Sequence, residues 1–349
     1  MTIEIAGRPI GADHPPFVIA EMSGNHNQSL ERALAIVDAA AQAGAHAIKL
    51  QTYTADTMTL DVRGSSFEIN DPDSLWAGQN LHDLYKQAHT PWEWHGPIME
   101  RAHELGLICF SSPFDETAVD FLEDLGAPAY KIASFENNHL PLIEKAAATG
   151  KPLIISTGMA SLGELDQAVC SARQAGCTNL VLLKCTSTYP ATAENTNIRT
   201  IPHLRDLFDC EVGLSDHTMG LGVAVAAVAL GASVVEKHFT LARADGGVDA
   251  AFSLEPAELA NLVIETERAW QALGQVRYGA TEVEQPSLVF RRSIYVAADI
   301  AAGEPFTEAN IRIVRPGHGA PPGLYAQLLG RKARKTLNRG NPLSLDDLF

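Results

Sequence analysis

The 349-residue sequence is short of positive charge: 26 lysines and arginines face 42 aspartates and glutamates, for a formal net charge of −16. Nucleic acids and anionic membranes are poor partners for such a surface. An anionic substrate must therefore be held by a few local cations working against the overall field. Cysteine is also scarce. Cys109, Cys170, Cys177, Cys185 and Cys210 are odd in number and lack a CxxC spacing, which argues against a disulfide framework and fits a reduced cytoplasmic protein. No apolar run reaches transmembrane length, and the opening MTIEIAGRPIG has neither a basic n-region nor an apolar h-region. A soluble cytoplasmic protein with no membrane partner is expected. A glycine-rich dinucleotide fingerprint is missing after the first strand, which weakens an open doubly wound sheet.

What is present is a large apolar content, 46 %, in a repeating arrangement. Strand-like runs at Phe17–Ala20, Ala47–Gln51, Leu107–Ser111, Ala129–Ile132, Leu153–Ser156, Leu180–Cys185, Glu211–Ser215 and Ser233–His238 alternate with helical stretches such as SLERALAIVDAAAQAG and LGELDQAVCSARQAG. Eight strands alternating with eight helices predict an α/β protein built on a (β/α)8 barrel, here residues 1–278. A polar linker (279–292) and a small β-rich domain (293–349) follow; the latter is too short to be stable without packing on something. Two connections, Thr52–Pro91 and Thr186–Asp209, leave the carboxyl ends of strands and are candidate lids or substrate walls.

The last strand–helix–strand unit, EVGLSDHTMGLGVAVAAVALGASVVEKHFT, sets His217 and His238 at equivalent ends of neighbouring strands, about 4.8 Å apart. Two imidazoles there can share one ion, although unrelated polar residues at strand ends fit the spacing equally well. Lys49 (AIKLQT) and Lys131 (AYKIAS) sit inside apolar strands, where a charge needs a partner or a polar cavity. Together they suggest an anion pocket; Lys184, by alternation from Ser187, points outward. Ser111, Ser112, Ser134, Ser156, Ser187 and Ser215 recur at the same level, either as helix caps or as a phosphate or carboxylate cradle. Glu21 ends the first strand, Glu136 follows the fourth, and Asp249 lies in the loop after the eighth. His26 is a substrate contact or a plain loop residue.

The motifs IAEMSGNHN, AIKLQTYT, CFSSPF, AYKIASFE, IISTGMAS, LLKCTSTYP, VGLSDHT, VVEKHFT and VRPGHG, in that order, resemble the sialic acid synthase family of phosphoenolpyruvate-dependent nonulosonic acid synthases over essentially the whole chain. The stretches EMSGNHNQSL, SLWAGQNLHDLYKQAHTPWEWH and FRRSIYVAADIAAGE are similar to the pseudaminic branch of that family. The resemblance implies a barrel followed by a SAF (antifreeze-like) domain, arranged as a domain-swapped homodimer. It makes His217 and His238 ligands of a divalent metal (Mn, Mg or Co), and gives Lys49, Ser112, Lys131, Ser134, Ser156, Ser187 and Ser215 to phosphoenolpyruvate. Gln51, Tyr189 and Asp249 would line an amino-sugar aldehyde, joined by Arg315 from the partner chain. Glu21 would bond to metal-bound water or substrate, and Glu21 with Glu136 would manage protons. Sialic acid synthases mostly carry threonine at the Ser112 position and asparagine at the Ser187 position, so those two contacts depart from the pattern. The implied reaction makes pseudaminic acid and phosphate from a 2,4-diacetamido-2,4,6-trideoxy-hexose of the L-altrose series. N-acetylneuraminate or legionaminate synthesis, a metal-dependent aldolase, and a carbohydrate- or ice-binding role are the alternatives.

Overall fold

The chain opens on a β-hairpin, β1 (Thr2–Ile5) and β2 (Arg8–Gly11), in the computed structural model of the protein, which describes residues 2–72 and 74–348. Ala6 and Gly7 make its turn with φ of 48° and 79°, the pair of positive values that a two-residue hairpin turn requires. The sequence reading begins its strands at Phe17 and has no place for this hairpin, since its strands are four residues each and their alternation is too brief to stand out.

Eight parallel strands then close a barrel: β3 (Phe17–Glu21), β4 (Ala47–Thr52), β5 (Ile108–Pro113), β6 (Tyr130–Ile132), β7 (Leu153–Ser156), β8 (Leu180–Cys185), β9 (Glu211–Asp216) and β10 (Val234–His238), which pairs back to β3. Each agrees with its predicted run to within one or two residues. Alternation sorts their side chains. Val18, Ile48, Leu182 and Val235 face outward onto the helices, in the larger of two barrel clusters. Phe17, Ile19, Phe110, Ile154, Leu183 and Val234 fill the interior, where Ile3, Ile5 and Ile10 of the hairpin plug the amino end. Gly213 on β9 is obligatory: a Cβ there would lie 2.3 Å from the Val234 carbonyl and 2.7 Å from Leu183.

The connection after β4 is not featureless. It carries helices Ala55–Met58 and Leu81–Ala88, both with side-chain caps, from Thr54 and Asn80. Of the second long connection, residues 200–208 form the barrel helix Thr200–Phe208, so the loop proper is shorter than expected. Helix Pro256–Leu273 completes the first compact unit, which ends at Gly274. The second unit, Gln275–Phe349, holds a 3-10 segment, Glu282–Phe290, begun by a Thr281–Glu284 capping box, and a two-stranded antiparallel sheet of β11 (Ser293–Val296) and β12 (Ile311–Val314). Its own core gathers Ile294, Ile300, Phe306, Ile311 and Leu337. Among the described residues no helix is long and apolar enough to cross a membrane.

Candidate active site

At the carboxyl ends of the barrel strands the inward stripe changes from apolar to polar. Two residues beyond Ile19 stands Glu21; two and four beyond Ala47 stand Lys49 and Gln51; two beyond Phe110, Ala129 and Ile154 stand Ser112, Lys131 and Ser156. The pairing registers set Glu21 against Lys49 and Glu236 against Ser215. Lys49 Nζ lies 2.6 Å from Glu21 Oε2 and donates to Ser112 Oγ at 3.1 Å. Across the barrel Lys131 Nζ donates to Glu236 Oε1 at 3.3 Å, which also accepts from Ser215 Oγ at 3.1 Å; Glu236 Oε2 is 3.8 Å from Lys49 Nζ. None of these four charged residues is more than 5 % exposed. Buried charges are tolerated only when interleaved in this way, and two ammoniums against two carboxylates leave the floor of the site electrically neutral.

Burial works to lower the Lys49 pKa, but Glu21 and Glu236 outweigh it and the ammonium is held above its usual range. Burial opposes ionised Glu236 as well, yet Lys131 and Lys49 hold its carboxyl below the usual value. Lys131 has less support, and burial lowers it. Burial pushes the Glu21 carboxyl up in spite of Lys49, with Glu236 adding to the push, so Glu21 is the carboxyl of the pair that takes a proton first.

Beside this floor lies a cradle of small groups. Gly158 N–H donates to Ser134 Oγ at 3.2 Å, and Asn137 Nδ2 donates to the Gly158 carbonyl at 3.0 Å, fixing the turn after β7. A Cβ at Gly158 would stand 2.2 Å from Ser187 Oγ and 2.6 Å from Ser134 Oγ. Only glycine leaves this space open. Ser156 Oγ and Glu136 Oε2 are buried there without a hydrogen-bond partner, and burial raises the Glu136 carboxyl to about 7.

The rings of His217 and His238 lie 5.3 Å apart. His217 Nδ1 is 3.0 Å from the Thr186 carbonyl. A carbonyl only accepts, so Nδ1 carries a proton, and in the neutral ring the lone pair is on Nε2. Burial works to lower the His217 pKa, but Cys185, whose Sγ is 3.8 Å from Nδ1, more than offsets it. Burial, with His217 adding to it, drives His238 well below the usual imidazole value, so it is neutral, and its Nδ1 has no hydrogen-bond partner although Asp249 Oδ2 is 3.6 Å away. Among the described residues no third histidine, cysteine or acid joins the pair closely enough to make a three-ligand ion site.

Gln51 Nε2 donates to Glu21 Oε1 at 2.9 Å and to Ser23 Oγ at 3.2 Å, and Ser23 Oγ donates to Asp249 Oδ2. The Tyr189 ring packs 4.5 Å from His217 and 5.3 Å from Phe252. Apart from Ser112, which sits just beneath Lys49, every barrel residue singled out from the resemblance lines one cavity of about 390 Å³. Arg315 belongs to the second unit, where it is exposed. Lys184 turns away as expected, onto the Cys185 carbonyl and Thr186. His26 is buried outside this cavity, beside Thr90 and edge-on to Trp94, and burial lowers it to about 4, so the loop-residue reading is the one that holds. The sequence reading gives no site role to Glu236, Ser23, Asn137 or Cys185. Glu236 had a signal: it lies two residues before His238 on the same strand, so the two share a face.

A fold of this kind with this mouth defines a barrel synthase, and the chain belongs to the NeuB family, whose model matches residues 36–278, with a SAF domain matching residues 291–348. It is 44 % identical over 335 residues to the pseudaminic acid synthase of Campylobacter jejuni serotype O:2, covering 96 % of this chain and 97 % of that one. To the N,N'-diacetyllegionaminic acid synthase of the same organism it is 36 % identical over 327 residues, covering 91 % and 96 %. The solved structure of an N-acetylneuraminic acid synthetase from Leptospira borgpetersenii, in complex with citrate, superposes with a TM-score of 0.73 at 32 % identity, over 82 % of this chain and 95 % of that one.

Proposed function

We propose that this chain condenses phosphoenolpyruvate and water with the open-chain aldehyde of 2,4-diacetamido-2,4,6-trideoxy-L-altrose, releasing pseudaminic acid and inorganic phosphate. The observation that carries the reading is the neutral Lys49–Glu21 and Lys131–Glu236 floor beside an open cradle of serine hydroxyls. Such a floor offers donors to a carboxylate and a phosphate, yet without a further positive charge it leaves their negative charge uncompensated. A divalent cation supplies that charge. The lone pair on His217 Nε2 and the orphaned nitrogen of His238 fit such an ion, with water and substrate as its other ligands. When bound by His217 and His238, a Mn, Mg or Co ion would act as a Lewis acid toward the aldehyde oxygen.

The remaining work falls to side chains. Lys131 and Lys49, the latter steadied from beneath by Ser112, hold the carboxylate and Ser134, Ser156, Ser187 and Ser215 the phosphate, which fixes C3 of the enol in line with the aldehyde carbon. As the new C–C bond forms, C2 becomes electron-poor, and Glu236 between the two lysines is placed to stabilise it. Glu136, with its free Oε2 and a carboxyl near 7, takes the proton of the water that adds to C2. Collapse of that adduct breaks the C2–O bond and expels phosphate, leaving the 2-keto acid. Glu21 manages the proton that the former aldehyde oxygen acquires, while Gln51, Tyr189 and Asp249 line the sugar.

The branch is supported by the higher identity to the pseudaminic than to the legionaminic synthase of one organism. All five cysteines are free thiols, which supports a cytoplasmic enzyme. We also infer a domain-swapped homodimer in which Arg315 of the partner subunit reaches the sugar, a reading supported by family membership and by the exposure of Arg315. Phosphate release and product mass spectrometry with phosphoenolpyruvate and three acceptors (the diacetamido-altrose, the diacetamido-mannose and N-acetylmannosamine) test the reading. Turnover with the altrose isomer is expected. Preference for another acceptor would reassign the branch, and aldol chemistry without phosphate release would overturn the synthase.

A further inference from the structure

The cavity has two poles of opposite character, and only one is used by the chemistry above. Away from the lysines its wall is built by the long connection after β4. Met58 ends that connection's first helix, Leu81 and Leu84 lie on its second, Ile69 comes from between them, and Phe114 follows β5. These five side chains carry no nitrogen or oxygen atom. Tyr53 and Tyr85 line the same cavity, the Tyr53 ring edge-on to Phe114 at 5.1 Å and to Tyr85 at 5.9 Å. The connection is also tied across the mouth: Trp76 Nε1 donates to the Val248 carbonyl at 2.9 Å, joining it to the loop after β10.

We propose that this wall is the specificity element for the far end of the acceptor, and that it selects a C6 methyl over a C6 hydroxymethyl group. The inference rests on the synthase reading above. The aldehyde carbon must sit at the His217–His238 pair to meet the enol, so the opposite end of the open chain points away from the lysine floor. The apolar pole is what remains there. A methyl group seated on Met58, Ile69 and Leu81 leaves water for an apolar surface. A hydroxymethyl group in the same place gives up its hydrogen bonds to water and finds no partner on those three side chains.

The test compares kcat/KM for 2,4-diacetamido-2,4,6-trideoxy-L-altrose and for its 6-hydroxy counterpart, 2,4-diacetamido-2,4-dideoxy-L-altrose, by phosphate release. An apolar pocket rejects an added hydroxyl by at most about 100-fold, and the wild type is expected to prefer the 6-deoxy sugar by roughly 10- to 100-fold. Met58→Gln and Leu81→Gln, two half-buried positions where glutamine fits the space, should each cut that ratio at least about fivefold by improving turnover of the 6-hydroxy sugar, with KM for phosphoenolpyruvate unchanged. A wild-type ratio near one, or variants that lose both acceptors in parallel, overturns the wall's role and leaves the synthase standing. No phosphate release from either acceptor overturns both.

Discussion

Glu136 and Gly158 show how much of this site depends on single atoms. The carboxyl of Glu136 is raised from 4.5 to about 7 by burial, so between those values the folded chain holds a proton that the unfolded chain has released. Stability from this group is therefore full below about 4.5 and lost as pH rises through 7. The shift corresponds to about 3 kcal/mol at most. Glu136→Gln should accordingly gain thermal stability relative to wild type at pH 8 and show little difference at pH 4.5, read by melting temperature at both values. Gly158→Ala would set a methyl group 2.2 Å from Ser187 Oγ, 2.6 Å from Ser134 Oγ and 2.9 Å from Ser134 Cβ, so both serines must shift. The fold should survive while KM for phosphoenolpyruvate rises roughly 10- to 100-fold, the cost of one or two hydrogen bonds to a charged group; an unchanged KM would remove the serines from the phosphate. Neither feature can be read from residues in isolation. Glycine at 158 has meaning only because two serines from the connections after β6 and β8 meet there, and Glu236 looks misplaced in an apolar strand until Lys49 and Lys131 arrive from across the barrel.

At the level of elements, the strands were legible and their ends were what mattered. A period of two with polar residues at one end predicts which side chains share the mouth, and Lys49, Lys131, Ser156 and His238 follow from it directly. The aromatic residues around the cavity do not, because Tyr53, Tyr85, Phe114, Tyr189 and Phe252 come from connections whose path depends on tertiary packing. On the outward side of the strands, β9 and β10 are locked by a further buried ion pair. Lys237 Nζ contacts Asp216 Oδ2 at 2.9 Å and donates to the carbonyls of Thr218 and Gly220 at 2.7 and 3.1 Å, with both charged side chains fully buried. His217 lies between the residues so clamped. Removing one partner strands the other charge, so Lys237→Met should lose roughly 3–5 kcal/mol in urea denaturation. A loss under about 1 kcal/mol would mean that the pair does not lock the turn.

For the whole molecule, the division after Gly274 separates a barrel holding the entire cavity from a unit holding Arg315. The domain-swap reading makes a sharp prediction. Arg315→Ala and His217→Ala homodimers should each be nearly inactive, and co-refolding them should restore one intact site per heterodimer. Absence of complementation, with heterodimers demonstrated by mass, counts against an arginine supplied in trans. The two-unit organisation itself was visible in the sequence, as a change from alternating apolar runs to glycine- and proline-rich segments; the hairpin at the start was not.

That hairpin has a kinetic consequence. Among the described residues Ile3, Ile5 and Ile10 pack into the amino end of the barrel, so ligands of the lysine floor are expected to enter and leave by the carboxyl end. The expected outcome is ordered binding with the ligand of the lysine floor first, checked by initial-rate and product-inhibition kinetics; random-order patterns would count against it.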